Sequence, residues 1–406
     1  MKKFKLVTLL GIRPDFIRMH KLIKLIDNSD LIDHFFVHSG QHFDYEMDKI
    51  FFDELGVRQP DLNFEIGKIL KEKGKKTNHA YQTALLSEKI SDFLEKHKPD
   101  ALMYLGDTNT VTSSIIVAKH NVPIIHIEGG GRSFDWRMPE EKNRIMVDHL
   151  SDLLYVYLER YKEILLSEGI PSFRIKVVGN IIVDAIKEFL SKAEKKSNIL
   201  NNLNIKKKEF ILCTLHREET IEDKKILKNK LENLIKISEY TKRPVVIPVM
   251  PRTDSSIKKF NFDNLINNKA FIRTKPLGFF DFLKLENNAY FTVTDSGTVQ
   301  EESCILGVPC VVARHSTERP ETIKAGATVL EGMETENNLF EKAKQAINLP
   351  TDWDRNILNP TGRSPSERVY NDLIQKIENG YFEKSRQPKY ILRNNKFVKE
   401  VYGEKV

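Results

Sequence analysis

The sequence predicts an α/β protein built from two Rossmann-like, doubly wound domains. Short apolar runs of the length of buried strands alternate with longer segments whose apolar residues recur at helical spacing. There are two such series, and the segment between them, residues 180–208, is helical and then rich in lysine and asparagine without an apolar run. Strands and helices that alternate in this way form parallel sheets covered by helices on both faces.

The predicted strands fall into two groups. Those of the first series are residues 6–10, 35–38, 101–105, 124–127, 154–156 and 176–178, with helices beginning near Asp15, Asn78 and Thr110. Those of the second series are residues 210–213, 245–248, 271–273, 290–294, 310–313 and 328–330. We therefore expect a first domain over residues 1–185, a second over 186–363, and a helix with a basic tail over 364–406.

The composition argues against several classes of protein. A chain of 406 residues with 40% hydrophobic and 30% charged residues is typical of a soluble globular protein. No apolar run approaches the roughly 18 residues of a membrane span, and the first one, Leu6 to Leu10, suits a core strand better than a signal peptide. The cysteines, Cys213, Cys304 and Cys310, lack metal-site spacing and indicate reduced thiols in a cytoplasmic protein.

The net charge of +7 does not indicate a nucleic-acid-binding protein. Lysines are spread over three segments, residues 68–76, 192–208 and 384–405, and aromatic and basic residues do not alternate there in a sheet-like pattern. Such a surface is ordinarily solvated, and it also suits a small polyanionic ligand.

The segment 292–303, TVTDSGTVQEES, indicates a phosphate site. An apolar strand ends in a turn where Gly297 lets the backbone approach an anion and Ser296 supplies a hydroxyl, and the helix that follows presents its positive end. Glu301 and Glu302 come within the first turns of that helix, well placed for the hydroxyls of a ribose. The alternative is an ordinary strand-turn-helix junction with a serine or threonine cap.

Other polar residues follow the predicted strands at their carboxyl ends, where doubly wound domains bind ligands. Asp107 follows the third strand, Glu128 the fourth, and His216 the first strand of the second series. We expect both halves to direct these groups at one interdomain cleft. Asp107 could instead cap the next helix, Glu140 could be a first-turn acid after Pro139, and His216 could be a core histidine.

Eight motifs in this order resemble the non-hydrolysing UDP-N-acetylglucosamine 2-epimerases over about residues 4–332. They are G-x-R-P-D at 11–15, GDT at 106–108, H-x-E-G-G-x-R at 126–132, PEE-x-NR at 139–144, GN at 179–180, HRE at 216–218, DSG-x-x-QEE at 295–302 and TERPE at 317–321. The resemblance implies the glycosyltransferase-B type of fold with a cleft between its domains, and a homodimer. It also implies that a terminal helix, Ser364 to Asn379, returns to the first domain.

The resemblance also implies the reaction: carbon 2 of a UDP-2-acetamido sugar is inverted by elimination of UDP to a glycal and re-addition, for a surface polysaccharide precursor. No metal or other cofactor is expected, and no G-x-G-x-x-G follows a strand. The implied catalytic residues are Asp107, Glu128, Glu140 and His216, the last also contacting the diphosphate. The implied substrate-binding residues are Arg13, Ser296 and Gly297 at the diphosphate, Glu302 at the ribose, Phe282 near the uracil, and Arg319.

The chain departs from the usual family pattern at a few positions. Ile12 replaces a threonine, Gly129 an alanine, and Met250 a histidine, and the loop RSFDWRMPEE is short. Together with FFDELGVRQPD and PLGFFDFLKL, this loop resembles the branch of the family that acts on modified UDP-2-acetamido sugars. The alternatives are a hydrolysing 2-epimerase or a glycosyltransferase of the same fold, or a non-catalytic nucleotide-sugar sensor.

Overall fold

The structure is a computed structural model that describes residues 2–41, 52, 54–75, 78–333, 338–387, 390–391, 394 and 400. Most of the expected basic tail beyond Gln387 therefore lies outside the described residues. The chain forms two compact units. Unit 1 is Met1–Ala185 with Asn359–Val406, and unit 2 is Ile186–Leu358.

Unit 1 is built on a parallel sheet of seven strands. The strands are β1 (Phe4–Leu10), β2 (Ile32–His38), β3 (Leu62–Asn63), β4 (Ala101–Leu105), β5 (Ile124–Ile127), β6 (Leu153–Val156) and β7 (Ile175–Val177). Their spatial order is β3-β2-β1-β4-β5-β6-β7. Because β4 and β5 are buried along their whole length, their sequences are nearly continuous apolar runs.

Helices connect these parallel strands. They are α1 (Arg13–Asp27), α2 (Ile66–Glu72), α3 (His79–His97), α4 (Ser114–Lys119), α5 (Pro139–Leu150), α6 (Glu159–Ser167) and α7 (Ile182–Lys196). Short 3-10 turns occupy Asn109–Ser113 and Ser172–Arg174. Asn78 caps α3 by accepting a hydrogen bond from Tyr81 N at 3.0 Å. The chain passes from unit 1 to unit 2 within α7.

Unit 2 repeats the pattern with a six-stranded parallel sheet in the order β10-β9-β8-β11-β12-β13. The strands are β8 (Ile211–Thr214), β9 (Val245–Pro248), β10 (Phe271–Thr274), β11 (Thr292–Thr294), β12 (Cys310–Val312) and β13 (Thr328–Leu330). The helices are α8 (Ile199–Asn202), α9 (Glu218–Ile221), α10 (Lys224–Thr241), α11 (Pro251–Lys259), α12 (Asp263–Ile266), α13 (Phe279–Asn288), α14 (Gly297–Leu306), α15 (Pro320–Lys324) and α16 (Asn338–Ile347). Both sheets therefore have the strand order of a doubly wound fold.

The C-terminal helices α17 (Pro365–Glu378) and α18 (Tyr381–Lys384) belong to unit 1. Helix α17 packs against α1, and Asp184 Oδ2 accepts hydrogen bonds from Ser364 Oγ at 2.9 Å and Ser366 N at 2.8 Å. Tyr381 donates its hydroxyl hydrogen to Asp152 O at 2.8 Å. These buried hydrogen bonds fix the last helices on the domain formed by the start of the chain.

The structure confirms the strands predicted from apolar runs. Each is present, and no boundary differs by more than three residues. Strand β3 was not predicted, because two residues at a sheet edge leave no periodic signal. The helix expected near Thr110 begins as the 3-10 turn Asn109–Ser113 and becomes α-helical at Ser114.

The order of strands reverses direction once in each sheet, between β1 and β4 in unit 1 and between β8 and β11 in unit 2. At such a switch point the connections leave toward opposite faces, so the strand ends are open to a ligand. The polar loops beginning at Gly11, Gly106, Leu215 and Asp295 lie at these two points. Both switch points therefore coincide with motifs singled out in the sequence.

Gly130, in the loop after β5, cannot be replaced without strain. Its φ is +81°, and a Cβ atom there would lie 2.5 Å from Tyr161 O. We expect Gly130→Ala to lower the free energy of unfolding by roughly 2–4 kcal/mol, from backbone strain and overpacking together. Gly169 is the matched control, because its φ is +86° but no described atom lies within 4 Å of its Cβ position. Equal losses in the two variants, measured by urea unfolding, would contradict the packing argument.

Candidate active site

Asp15 lies in the first turn of α1, directly after the end of β1. Its carboxylate accepts hydrogen bonds from Gly11 N and Ile12 N, each at 3.1 Å, and from Arg18 Nη2 at 2.9 Å. The side chain is buried. Burial raises the pKa of Asp15 to about 6, although Arg18 and the two backbone donors act in the opposite direction. Asp15 therefore fixes the loop at residues 11–15 and holds Arg18 in place.

Glu128 follows β5 with a φ of +79°, a left-handed conformation that is uncommon for a residue with a side chain. Arg18 Nη1 donates a hydrogen bond to Glu128 Oε2, and the hydroxyl of Tyr157 lies 3.5 Å from the same oxygen. A Cβ atom added to Gly106 would lie 3.4 Å from Glu128 Oε2. The buried carboxylate of Glu128 thus lies against the residue that precedes Asp107.

Asp107 is held by α5. Its Oδ2 accepts hydrogen bonds from Arg144 Nε at 3.1 Å and from Arg144 Nη2, and Asn143 Nδ2 donates to its carbonyl oxygen at 2.9 Å. The Asp107 side chain is 24% exposed, whereas that of Arg144 is 4% exposed. The arginine is therefore a buried counter-charge, and the carboxylate of Asp107 remains accessible.

Glu141 connects α5 to the loop that precedes it. Its carboxylate accepts hydrogen bonds from Ser133 N at 3.0 Å, Ser133 Oγ at 2.8 Å and Phe134 N at 2.9 Å. It also accepts one from Arg144 Nη1 at 2.6 Å, so the guanidinium bridges Glu141 and Asp107. Glu140 is partly exposed in the first turn of α5, one turn before Arg144. The predicted acids Asp107 and Glu140 therefore share one supporting helix.

A buried charge network lies behind the Glu128 loop. His126 Nδ1 is 2.7 Å from Asp148 Oδ1 and Nε2 is 2.8 Å from Gly106 O. The ring is therefore held between a carboxylate and a backbone carbonyl. Burial alone would raise the pKa of Asp148, but His126, Arg132 and the N–H of Gly130 hold it below its ordinary value. The network fixes the backbone at Gly106 and Gly130.

In unit 2, Asp295 joins the two loops at the switch point. Its buried carboxylate accepts hydrogen bonds from His216 N at 2.9 Å and Arg217 N at 3.0 Å, and His216 Nδ1 lies 3.1 Å away. Burial alone would raise the pKa of Asp295, but His216 and the backbone donors hold it below its ordinary value. Because Nδ1 faces Asp295, the half-exposed ring of His216 presents Nε2 to its open side.

The N-terminus of α14 has the features of an anion site. Ser296 is the N-cap residue, yet its side chain does not cap the helix, so its hydroxyl does not occupy the first N–H groups. A Cβ atom at Gly297 would lie 2.7 Å from Glu318 Oε1, so a side chain there would displace the buried Glu318 carboxylate. Arg217 and Arg314 both lie within ion-pair distance of Glu318. Two cations therefore flank this helix end.

The remaining residues of the QEE motif connect α14 to the TERPE loop. Gln300 Nε2 donates to Arg319 O at 3.0 Å and to Thr322 Oγ1 at 2.7 Å, and buried Glu301 pairs with Arg319 Nε. Arg319, predicted to contact substrate, is thus buried in an ion pair with Glu301. Glu302, one residue further along α14, is also buried.

No helix among the described residues combines the length and the apolar character needed to cross a membrane. In the same described part of the chain, His, Cys, Asp and Glu side chains form no group of three or more that could hold a metal ion.

Comparison with known proteins identifies the family. The family model described as UDP-N-acetylglucosamine 2-epimerase matches residues 24–366. A UDP-N-acetylglucosamine 2-epimerase of Methanocaldococcus jannaschii is 41% identical over 370 residues, which are 90% of this chain and 97% of the relative. The chain belongs to the UDP-N-acetylglucosamine 2-epimerase family.

Two further members of this family are informative. The crystal structure of the M. jannaschii UDP-GlcNAc 2-epimerase in complex with UDP-GlcNAc and UDP has a TM-score of 0.83 and 38% identity, covering 92% of this chain and 99% of that chain. A UDP-2,3-diacetamido-2,3-dideoxy-D-glucuronate 2-epimerase of Pseudomonas aeruginosa is 34% identical, over 84% of this chain and 92% of the relative. The fold is the glycosyltransferase-B type of this epimerase family, as the sequence predicted.

Sequence reasoning did not single out Arg18, Tyr157 or Glu286. Arg18 is part of FIRMHKLI in α1. It follows Asp15 by three residues on the apolar face of the helix, and this spacing could have indicated an ion pair between them. Arg144 and Glu141 belong to the PEE-x-NR motif, but the sequence does not predict a role for either. The structure gives both a role, since together they support Asp107.

Asp15→Asn should remove one component of the pH dependence of stability. The pKa of Asp15 is raised from 3.8 to about 6, so the folded state holds this proton more tightly than the unfolded state. The resulting stabilisation is fully present below about pH 4 and lost as the pH rises through 6. We expect the free energy of unfolding of the wild type to fall by about 3 kcal/mol relative to Asp15→Asn between about pH 4 and 7.

Denaturant unfolding at several pH values measures this difference. The control is Asp33→Asn, which changes an exposed carboxyl of β2 in the same unit. A wild type and Asp15→Asn variant whose unfolding free energies run parallel across this range would rule out the raised pKa.

Proposed function

We propose that this protein inverts carbon 2 of UDP-N-acetylglucosamine, or of a closely related UDP-2-acetamido sugar, by eliminating UDP and adding it back. The observation that carries the proposal is the pair of carboxylates at adjacent strand ends, Asp107 and Glu128, each held by a buried arginine. The M. jannaschii relative, which was solved with UDP-GlcNAc and UDP, supports this class of substrate.

The nucleotide is proposed to bind at the switch point of unit 2. The N–H groups of α14 and the hydroxyl of Ser296 are suited to a phosphate, and Gly297 permits its close approach. His216 Nε2 faces the open side and can donate to a second phosphate oxygen. Glu302 is proposed to accept hydrogen bonds from the ribose hydroxyls, with Phe282 of α13 near the uracil.

The reaction requires two proton transfers at carbon 2. A base removes the carbon 2 proton while the bond between carbon 1 and the UDP oxygen breaks, which gives UDP and a 2-acetamidoglycal. A proton is then delivered to carbon 2 on the opposite face, and the UDP oxygen re-forms its bond to carbon 1. Atoms and electrons balance without an oxidant. Positioned carboxylates suit both transfers and stabilise positive charge on the sugar ring.

Asp107 and Glu128 are proposed to carry these protons, with Glu140 as a third acid. Two groups are needed because removal and return occur on opposite faces of the sugar. Asp107 is 24% exposed and Glu128 only 8%, so their surroundings differ although both face an arginine. In enzymes with paired carboxylates, different surroundings give the two groups different pKa values and therefore different roles.

Two further parts of the proposal rest on family resemblance, the homodimer and the role in making surface polysaccharide precursors. The proposed cytoplasmic location rests on the cysteines, which indicate reduced thiols. The P. aeruginosa relative supports testing a 2,3-diacetamido uronic substrate beside UDP-GlcNAc.

Proton NMR in deuterium oxide tests the function directly. Wild-type protein with UDP-GlcNAc should give the C2 epimer carrying deuterium at carbon 2, with UDP retained in the product. Free sugar and free UDP in equal amounts would instead identify a hydrolysing enzyme. Product without deuterium would exclude proton exchange at carbon 2, and bound but unchanged substrate would identify a sensor.

Amide substitutions test the two acids. Asp107→Asn and Glu128→Gln preserve size but remove basicity, so UDP binding should persist while turnover falls by about 10²–10⁴. The control is Glu88→Gln, which changes an exposed glutamate of α3. Full activity in both amide variants would remove these residues from the mechanism and leave Glu140 as the candidate.

Arg13→Ala tests the proposed diphosphate contact. Removing one charge-assisted hydrogen bond should weaken UDP binding by about 1.5–3 kcal/mol, measured by calorimetry. Lys21→Ala removes another cation of α1, one that pairs with Glu367 at 2.7 Å, and should leave UDP affinity unchanged. Unchanged affinity in a folded Arg13→Ala variant would refute the assignment.

A further inference from the structure

A second buried carboxyl lies beside Glu302. Glu286, on α13, has no exposed surface and lies next to the carboxyl of Glu302, whose neighbour Ser303 binds it. Ser303 Oγ donates to Glu286 Oε1 at 3.0 Å, whereas Glu286 Oε2 receives no hydrogen bond from a donor in the described part of the chain. Ionised carboxylates only accept hydrogen bonds, so two of them side by side leave such an oxygen unsatisfied.

A proton on Glu286 resolves this conflict. The carboxylic acid becomes a donor, and the pair then carries one negative charge instead of two. Burial and the neighbouring Glu302 both raise the pKa of Glu286 well above its ordinary value. A buried group that is left unpaired costs considerable free energy, so the protonated form is strongly favoured.

Neutral groups of three elements lie around Glu286 in the described part of the chain. They are the Ser303 hydroxyl of α14, the Cys310 thiol of β12 and the Thr292 hydroxyl of β11, which lies 2.9 Å from Ser303 Oγ. Burial raises the pKa of Cys310 to about 12, so this thiol is neutral at physiological pH. By contrast, the adjacent Glu301 is paired with Arg319.

We propose that Glu286 is protonated and donates a hydrogen bond to the Glu302 carboxylate. This hydrogen bond orients Glu302 for the ribose hydroxyls of the nucleotide. This inference rests on the proposed function, in which Glu302 binds the ribose. Glu286 is a positioning residue, because it acts through Glu302 and does not touch the substrate. The shared proton also limits the negative charge beside a diphosphate, which would otherwise repel a doubly ionised pair.

Two variants separate the effect of the hydrogen-bond donor at residue 286 from the effect of its charge. Glu286→Gln keeps a hydrogen-bond donor that cannot ionise, and Glu286→Leu keeps similar bulk without a donor. Calorimetry compares UDP with 2′,3′-dideoxy-UDP, which lacks both ribose hydroxyls. We expect wild type and Glu286→Gln to prefer UDP by about tenfold or more, the scale of hydrogen bonds to a charged group. In Glu286→Leu the preference should fall to within about threefold, since Glu302 is no longer oriented.

The pH dependence gives a readout that does not need the leucine variant to fold. Because the wild-type pair keeps its shared proton, wild-type UDP affinity should stay within about threefold of that of Glu286→Gln from about pH 6 to 8, where an ordinary glutamate is fully ionised. The comparison at each pH cancels the titration of the nucleotide, which both proteins share. A wild-type affinity that falls well below that of Glu286→Gln in this range would indicate a doubly ionised pair and overturn the inference.

The outcomes distinguish this inference from the proposed function. If the wild type binds UDP no better than the dideoxy analogue, Glu302 is not the ribose ligand and this inference is overturned, whereas the NMR experiment in deuterium oxide still decides the reaction. If the wild type prefers UDP and a folded Glu286→Leu variant keeps the full preference, the proposed function stands and only the role of Glu286 is lost.

Discussion

The candidate site depends on how buried carboxylates are compensated. An ionised carboxylate removed from water is costly unless a charge or several hydrogen-bond donors face it. In unit 1 the compensation is arginine: Arg18 serves Asp15 and Glu128, and Arg144 serves Asp107 and Glu141. Each guanidinium spans two acids, so the loop acids are tied to helices α1 and α5. The two helices fix the arginines, and the arginines in turn fix the positions of the acids.

Unit 2 compensates its acids differently, and the difference assigns roles within the DSG-x-x-QEE motif. Asp295 is satisfied by two backbone N–H groups and His216, so it joins two loops and has little capacity left for a ligand. Glu301 is satisfied by Arg319, which secures the TERPE loop. The motif thus contains two structural acids, and Ser296, Gly297 and Glu302 are the residues of the motif that we propose for the nucleotide. Sequence alone could not divide the motif in this way.

Much of the fold could be predicted because buried parallel strands are apolar on both faces, and their runs are visible in the sequence. The loops of the site could be predicted because they follow those strands. The hydrogen-bond partners of these loops could not be predicted, because the side chain that reaches Glu128 comes from Arg18, 110 positions away in the chain. Glu286 had no signal at all, because an acid in LKLENNA resembles a solvated helix face until α14 is packed against it.

The strained backbone at Glu128 shows why the loop needs the charge network behind it. A left-handed residue with a side chain costs roughly 1–3 kcal/mol and persists only where its surroundings fix it. Here the N–H groups of Glu128 and Gly129 both donate to Tyr155 O, at 2.9 and 3.2 Å, and Gly130 N donates to Asp148 at 3.0 Å.

Those hydrogen bonds turn the Glu128 side chain away from the strand direction and toward Gly106 and Arg18. Asp148 is itself held by the ring of His126, whose other nitrogen is hydrogen-bonded to Gly106 O. One histidine therefore fixes the backbone on both sides of the carboxylate, at the residue before Asp107 and in the loop after Glu128. The distance between the two acids is set by the buried sheet and not by mobile loops, which is the condition for proton transfers at a single carbon.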